Sequence, residues 1–249
     1  MKISKQFTLA TIGILAYMIA DIIHEVIGHG ITCLIIGNKI ELLTSVYFKS
    51  KPGSILVDLG GPVANILIGT LTFFILKKIS FAKFFFFQLT AYNLFWFSGT
   101  ILHSALSKTG DWTFAIKEIS ISPYGKIFLI ITGILCYVFC IQLLNSYLIH
   151  SFKENGSDSL TKQEIFYSFL CASFAAGIAG IFFKPDRLHA GFDGVLEMAA
   201  SIPILFLKFG NNHGSNKYNN RAHYFFNFSV CILYIIFCLT LGKGISFVK

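Results

Sequence analysis

Charge is what this chain has least of. Asp, Glu, Lys and Arg make up 13% of its 249 residues, about half the share of an ordinary soluble protein. Too few polar residues remain to cover a soluble surface, and a mean hydropathy of +0.69 excludes disorder. Paired cysteines are also missing. The six cysteines, Cys33, Cys136, Cys140, Cys171, Cys231 and Cys238, include no CxxC pair, so neither a zinc ribbon nor a thioredoxin-like site is supported. All lie in apolar stretches and read as small buried residues. A basic stripe is lacking too. The net charge of +8 comes from lysines and arginines scattered between apolar runs, which excludes nucleic acid as a partner and fits anchoring at anionic lipid headgroups.

Long apolar runs are abundant. They lie at 7–36, 54–76, 84–107, 126–149, 165–183 and 223–242, and a spanning helix needs about 20 residues. The fold class expected is an all-α, multi-pass integral membrane protein with six transmembrane helices and a small β-prone loop after the first. The mixed stretch 188–207 is open to three readings: a seventh span, a re-entrant segment or an interfacial helix. The N-terminal run has lysines before its apolar core but continues past Ile36 without a small-x-small site, so it reads as an uncleaved first span. The link 37–54 carries a β-prone patch at 42–48 and then a Pro-Gly turn. The links at 151–164 and 209–223 read as hydrophilic and as a mobile Asn/Gly-rich loop. Lys and Arg are divided too evenly between the two sides to orient the spans.

The first span carries the chemistry. Its ADIIHEVIGHGITCLIIG segment holds Asp21, His24, Glu25 and His29. An ionisable residue at mid-membrane costs about 2.5–3.5 kcal/mol on insertion scales and is a functional candidate by default. His29 lies about 12 Å from Gly37 by helical rise, so these groups are not a helix end meeting headgroups. Two imidazoles suit zinc, and a neighbouring carboxylate can take a proton from water. The spacing is HExxxH, however, which on a regular α-helix turns the two rings about 140° apart. A one-residue π-bulge, with Gly28 and Gly30 available for it, would return them to one face. The alternative pair is Glu25 and His29, at true i+4 spacing. The two histidines are preferred, with Glu25 as the catalytic base.

HEVIGHG in a first membrane span resembles the site-2 protease family of intramembrane metalloproteases, whose own motif is HExxH. The spacing found here is similar to the HExxGH of the dipeptidyl peptidase III family, where both histidines bind zinc. The second span begins VDLGGPVANILIG, and its Gly61, Pro62 and Asn65 resemble the Gly-Pro-x-x-Asn element of site-2 proteases. The resemblance implies that this element positions an extended substrate, with Gly60–Pro62 expected to break regular helix. It also implies a third metal ligand from an Asp in a later span. Asp111 matches by position in the chain, although it follows Asn93 by 18 residues and lacks the Leu-Asp-Gly context. The competing reading of Asp111 is a cap for a helix starting at Trp112. Asp21, Asp58, Asp193 and Glu197 are the fallback ligands.

The expectation is therefore a single membrane domain over 1–249, with a site-2-protease-like core at 7–115 and additional transmembrane helices at 126–249. It would be a zinc-dependent intramembrane endopeptidase: His24, His29 and Asp111 hold Zn2+, Glu25 is catalytic, and Gly61, Pro62 and Asn65 position a membrane protein or peptide substrate. The loop 37–54 would lend that substrate an edge strand. The alternatives are a polytopic transporter, for which the sequence shows no repeated halves, and a non-proteolytic relative of site-2 proteases. A two-iron desaturase is disfavoured because the histidines are scattered. The stripe His189, Asp193, Glu197 is open to two readings, lining the cavity or facing headgroups, of which headgroups are preferred.

Overall fold

Apolar runs of this length must satisfy their backbone groups internally, and the helix does so within one segment. The computed structural model describes residues 2–78, 82–107, 109–113, 124–155, 161–209 and 220–247. Its helices are α1 (Lys2–Asp21), α2 (Thr32–Ile35), α3 (Ile55–Lys78), α4 (Lys83–Ser107), α5 (Gly125–Asn155), α6 (Lys162–Ile181), α7 (Arg187–Ala199) and α8 (Asn220–Phe237). Between α1 and α2 the chain is π-helical over Ile22–Ile31, so the first apolar run is one rod from α1 through α2. Five helical stretches are long and apolar enough to cross a membrane: Lys5–Ile35, Ile55–Lys78, Gly125–His150, Lys162–Ile181 and Tyr224–Gly242. Large apolar side chains on their outer faces, among them Leu67, Phe139 and Phe174, stand exposed, as an apolar surrounding permits.

The helix at the expected third span, α4, is not among those five. Gln88, Thr90, Asn93, Ser98 and Ser104 dilute its hydropathy, and all of them are buried. It forms the centre of the structure, packed by α1, α3, α5 and α7. Polar ties hold it there: the Ser168 hydroxyl of α6 donates to Gln88 Oε1 at 3.0 Å, and Thr90 donates to Thr72 of α3 at 3.0 Å. On α6, Thr161 and Glu164 form a capping box, and Lys5 of α1 pairs with Glu164 at 2.7 Å.

Two sequence expectations change, and one open reading is narrowed. The stretch 188–207 is not a seventh span. Its helix α7 has 13 residues, about 20 Å of rise against a hydrocarbon core of about 30 Å. Pro203 then lies in a short 3₁₀ segment, Ile202–Phe206. Instead α7 folds back along α6, where a Cβ on Gly180 would come within 2.1 Å of the Ala190 carbonyl oxygen and one on Gly194 within 2.6 Å of that of Ala176. Second, Gly60–Pro62 does not break its helix. α3 runs through Pro62, although the proline removes the hydrogen bond to the Asp58 carbonyl and crowds that carbonyl. Third, the β-prone patch at 42–48 contains the hairpin turn. The strands flank it as β1 (Lys39–Leu43) and β2 (Phe48–Lys51), and Thr44 Oγ1 accepts from the amides of Val46 and Tyr47.

A third strand, β3 (Ile245–Ser246), arrives from the far end of the chain and gives the order β2-β1-β3. β1 is thereby paired on both sides, and β2 and the two-residue β3 form the edges of the sheet. The hydrophilic link expected at 151–164 begins as helix, since α5 extends to Asn155. Residues 156–160, and 210–219 of the loop expected to be mobile, lie outside the described residues.

Candidate metal centre

Five-residue spacing aligns side chains where the backbone bonds i to i+5. Over Ile22–Ile31 it does so for ten residues, far more than the single bulge expected, and the rings of His24 and His29 meet. Their Nε2 atoms are 3.2 Å apart, with the rings edge to face at 4.8 Å between centroids. Both residues are buried.

Gly28 does a different job from the one expected of it. A Cβ there would lie 2.5 Å from Gly61 Cα, and one on Gly60 would lie 2.4 Å from the Gly28 carbonyl oxygen. The π-helical segment and α3 therefore touch backbone to backbone. That approach brings Gly61 beneath the two imidazoles, where a Cβ would stand 2.4 Å from His29 Nε2 and 2.7 Å from His24 Nε2.

The tautomers follow from the partners. His29 Nδ1 lies 2.6 Å from the Val57 carbonyl oxygen, which only accepts, so Nδ1 carries the proton. For His24 the chain of reasoning is longer. Asn93 Nδ2 donates to the Leu89 carbonyl oxygen at 2.8 Å, which turns Asn93 Oδ1 toward Asn65 Nδ2 at 2.9 Å. Asn65 Oδ1 then faces His24 Nδ1 at 2.5 Å, and that nitrogen donates. With both rings neutral, each Nε2 keeps its lone pair, and the two nitrogens face one another. This arrangement of the second nitrogen is typical of metal-ligating histidines.

Asp111 completes the convergence. Its Oδ2 is 3.3 Å from His24 Nε2 and its Oδ1 is 3.6 Å from His29 Nε2. Gly110 lies at φ +86°, a conformation that glycine adopts without strain, and it turns the chain back after α4. The returning segment is tied down by Thr113 Oγ1 to the Ser104 carbonyl oxygen at 2.8 Å and Trp112 Nε1 to Thr100 Oγ1 at 3.1 Å. The Trp112 amide donates to Ser104 Oγ at 3.2 Å, and the helical turn begins at Asp111 itself, so Asp111 is not its cap. Burial pushes the Asp111 carboxyl up, but His29 and His24 beside it, in their protonated forms, outweigh that and hold it below its ordinary value.

Glu25 is buried within this group. One ligand atom of each of His24, Glu25 and His29 lies within 4.8 Å of the others, and Glu25 Oε2 has no hydrogen-bond partner among the described residues. Asn65, expected to face substrate, is instead fully buried and orients His24. Pro62 is also buried, and Gly61 forms the floor under the imidazoles. Asn93 was named in the sequence only for its place before Asp111; its part in the amide chain has no local spacing signature. Of the fallback acids, Asp193 accepts from the Tyr47 hydroxyl at 2.6 Å. The polar stripe does not face headgroups as a unit: exposed His189 pairs with Asp186 at 3.0 Å, whereas Glu197 lies within electrostatic reach of Asp21 and Glu25.

No protein-family model, curated protein or solved structure matches this chain.

The amide chain makes a prediction of its own. Asn65→Leu removes the acceptor that fixes the His24 tautomer while conserving volume. Metal affinity, measured by competition with a chromogenic chelator, should fall about 10- to 100-fold, the usual effect of losing such a partner. Asn93→Leu should give a smaller loss, because Asn65 then keeps its bond to His24 but is free to flip.

Proposed function

We propose that this chain is a zinc-dependent intramembrane endopeptidase of the site-2 protease type. One observation carries the reading. Two imidazole Nε2 atoms and a carboxylate converge on one point, and three such groups are held together by a shared cation, whether a proton on one ring or a metal ion. The residues fit zinc. Tetrahedral ligands at ordinary zinc distances stand about 3.3 Å apart, against 3.2, 3.3 and 3.6 Å here. The donor set of two histidines and one carboxylate is that of a catalytic rather than a closed structural site.

His24, His29 and Asp111 would hold the ion, which when bound polarises a carbonyl and acidifies water. Glu25 takes the proton from the attacking water and returns it to the leaving amine. Asn65 and the Val57 carbonyl keep both Nε2 atoms available. The free edge of β2 supports an extended peptide as substrate, since Phe48 on that strand stacks on His29 at 5.4 Å and an edge strand can pair with another backbone. Such a peptide would come from a transmembrane or membrane-adjacent segment. We read α4 as a sixth span, enclosed by the other helices.

The test is elemental analysis of the purified protein. Wild type should carry one zinc per chain, and His24→Ala/His29→Ala none. Asp111→Asn should fold normally and bind zinc about 100-fold more weakly, a first-sphere loss at least as large as that of an orienting partner. Stoichiometric zinc in the double alanine variant would place the site elsewhere.

A further inference from the structure

Beside the metal centre, on the side toward the start of α1, lies a second group of polar atoms with no role so far. Tyr17, Asp21 and Glu25 follow one another at four-residue steps along the first rod. Tyr17 and Asp21 are fully buried. The Tyr17 hydroxyl, both carboxylate oxygens of Asp21 and Oε2 of Glu25 have no hydrogen-bond partner among the described residues. Trp96 of α4 brings a fourth unpartnered group, its indole Nε1. Its ring lies between the two sites, with centroids 6.4 Å from Tyr17 and 6.2 Å from His24. From another helix, α7 contributes Glu197, within electrostatic reach of Tyr17, Asp21 and Glu25.

Buried polar groups in folded proteins are almost always hydrogen-bonded, and a local concentration of exceptions marks bound solvent or an ion. Here donors (the hydroxyl and the indole) and acceptors (the carboxylates) are mixed, and a water molecule needs two to four partners of both kinds. An ion-binding cage would gather its oxygens tightly. Among the described residues, His24, Glu25 and His29 are close enough together to hold a metal, and Asp111 reaches the two imidazoles at 3.3 and 3.6 Å; Asp21 and Glu197 make no such approach to them.

We infer that Tyr17, Asp21, Trp96 and Glu197 enclose an internal water chamber that opens onto Glu25 and supplies water to the metal centre. Hydrolysis consumes one water per bond cleaved, and a site inside an apolar rod has no bulk solvent beside it. Glu25 belongs to both groups, so water held by Asp21 and Tyr17 needs to pass only that side chain. The supply role rests on the hydrolase reading; occupancy by water does not.

X-ray hydroxyl-radical footprinting of the full chain in nanodiscs separates these two claims, because radicals formed from bound water label the side chains next to it. After correction for intrinsic reactivity, Tyr17 and Trp96 should be labelled severalfold faster than Phe95, which is equally buried but packed against Tyr137 at 5.9 Å. Asp21→Leu should bring Trp96 down to the Phe95 level, while Asp21→Asn, which keeps polar atoms in place, should not. The zinc-free His24→Ala/His29→Ala variant should keep the wild-type labelling, so loss of the hydrolase reading would leave the chamber standing. Tyr17 and Trp96 labelled no faster than Phe95 would overturn the chamber. Labelling that changes when sodium is replaced by choline would overturn water in favour of a cation. Proteolysis by Asp21→Leu should lose several-fold in kcat with zinc content and KM unchanged, and an unchanged kcat would overturn the supply role.

Discussion

Glu25→Gln should retain one zinc per chain and lose cleavage of a membrane peptide by about a hundredfold to ten-thousandfold, the range for removal of a positioned general base. Gln keeps the size and hydrogen-bonding ability of the side chain and removes only its capacity to take a proton. The competing role is that of ligand, since Glu25 lies within 4.8 Å of the two imidazoles and stands at i+4 from His29. The two roles give opposite metal contents. A ligand Glu25 would make the Gln variant lose zinc along with activity, whereas a base leaves zinc binding intact. Measuring both quantities on one preparation decides between them. A third result, zinc retained and cleavage unchanged, would move the base elsewhere and leave Asp21 and Glu197 as the carboxylates to test. Burial pushes the Glu197 carboxyl well above its ordinary value, and Asp21 and Glu25 push it the same way.

The site was legible in the sequence where chemistry is local. HExxxH states its own problem, since a five-residue step puts two rings on different faces of an α-helix, and the π-helical segment solves it. The extent of that segment was not legible. A single bulge would have served the histidines, and nothing in IIHEVIGHGI marks ten residues of it. Asp111 could be named from its place in the chain, but not the device that delivers it. That device is Gly110 at positive φ together with hydrogen bonds from Trp112 and Thr113 to Thr100 and Ser104, a contact between segments that no spacing reveals. Asn65 was seen and given the wrong partner for the same reason. Its neighbours in sequence are apolar, while its partners are His24 and Asn93 on two other helices.

The fold was legible as apolar runs and less so as membrane spans. Every expected run contains a helix, yet α4 owes its place to buried polar side chains rather than to hydropathy. The stretch 188–207 was open to three readings, and its length alone could not choose between them. Gly191 and Gly194 let α7 dock on α6 at backbone distance, and Pro203 prevents the helix from continuing. Small residues and one proline thus decide what total hydropathy leaves open.

Gly61→Ala should fold and bind no zinc at micromolar concentration. The added methyl would stand 2.4 Å from His29 Nε2 and 2.7 Å from both Cε1 and Nε2 of His24, in the place where the two lone pairs meet. Neither ring can rotate away cheaply. His29 is held by the Val57 carbonyl and His24 by Asn65, and turning either one breaks a buried hydrogen bond. The backbone must move instead, and a ligand set tolerates only about 0.5 Å of error. Overpacking of this kind costs about 1–3 kcal/mol of stability, which a chain of this size survives, so the loss should appear in metal content rather than in folding. Two other glycines supply the contrast. Gly30 follows His29 directly, yet a Cβ there has the Glu25 carbonyl oxygen as its nearest neighbour, at 3.4 Å. Gly30→Ala should therefore bind zinc as wild type does. Gly28 carries no ligand, but a Cβ there would meet backbone of Gly60 and Gly61 at 2.5–2.8 Å. Gly28→Ala should force α3 from the rod and lower the thermal midpoint as well as the zinc content. Were Gly30→Ala to lose zinc and Gly61→Ala to keep it, the cradle would not lie over α3, and the pairing of His24 with His29 as ligands would have to be given up.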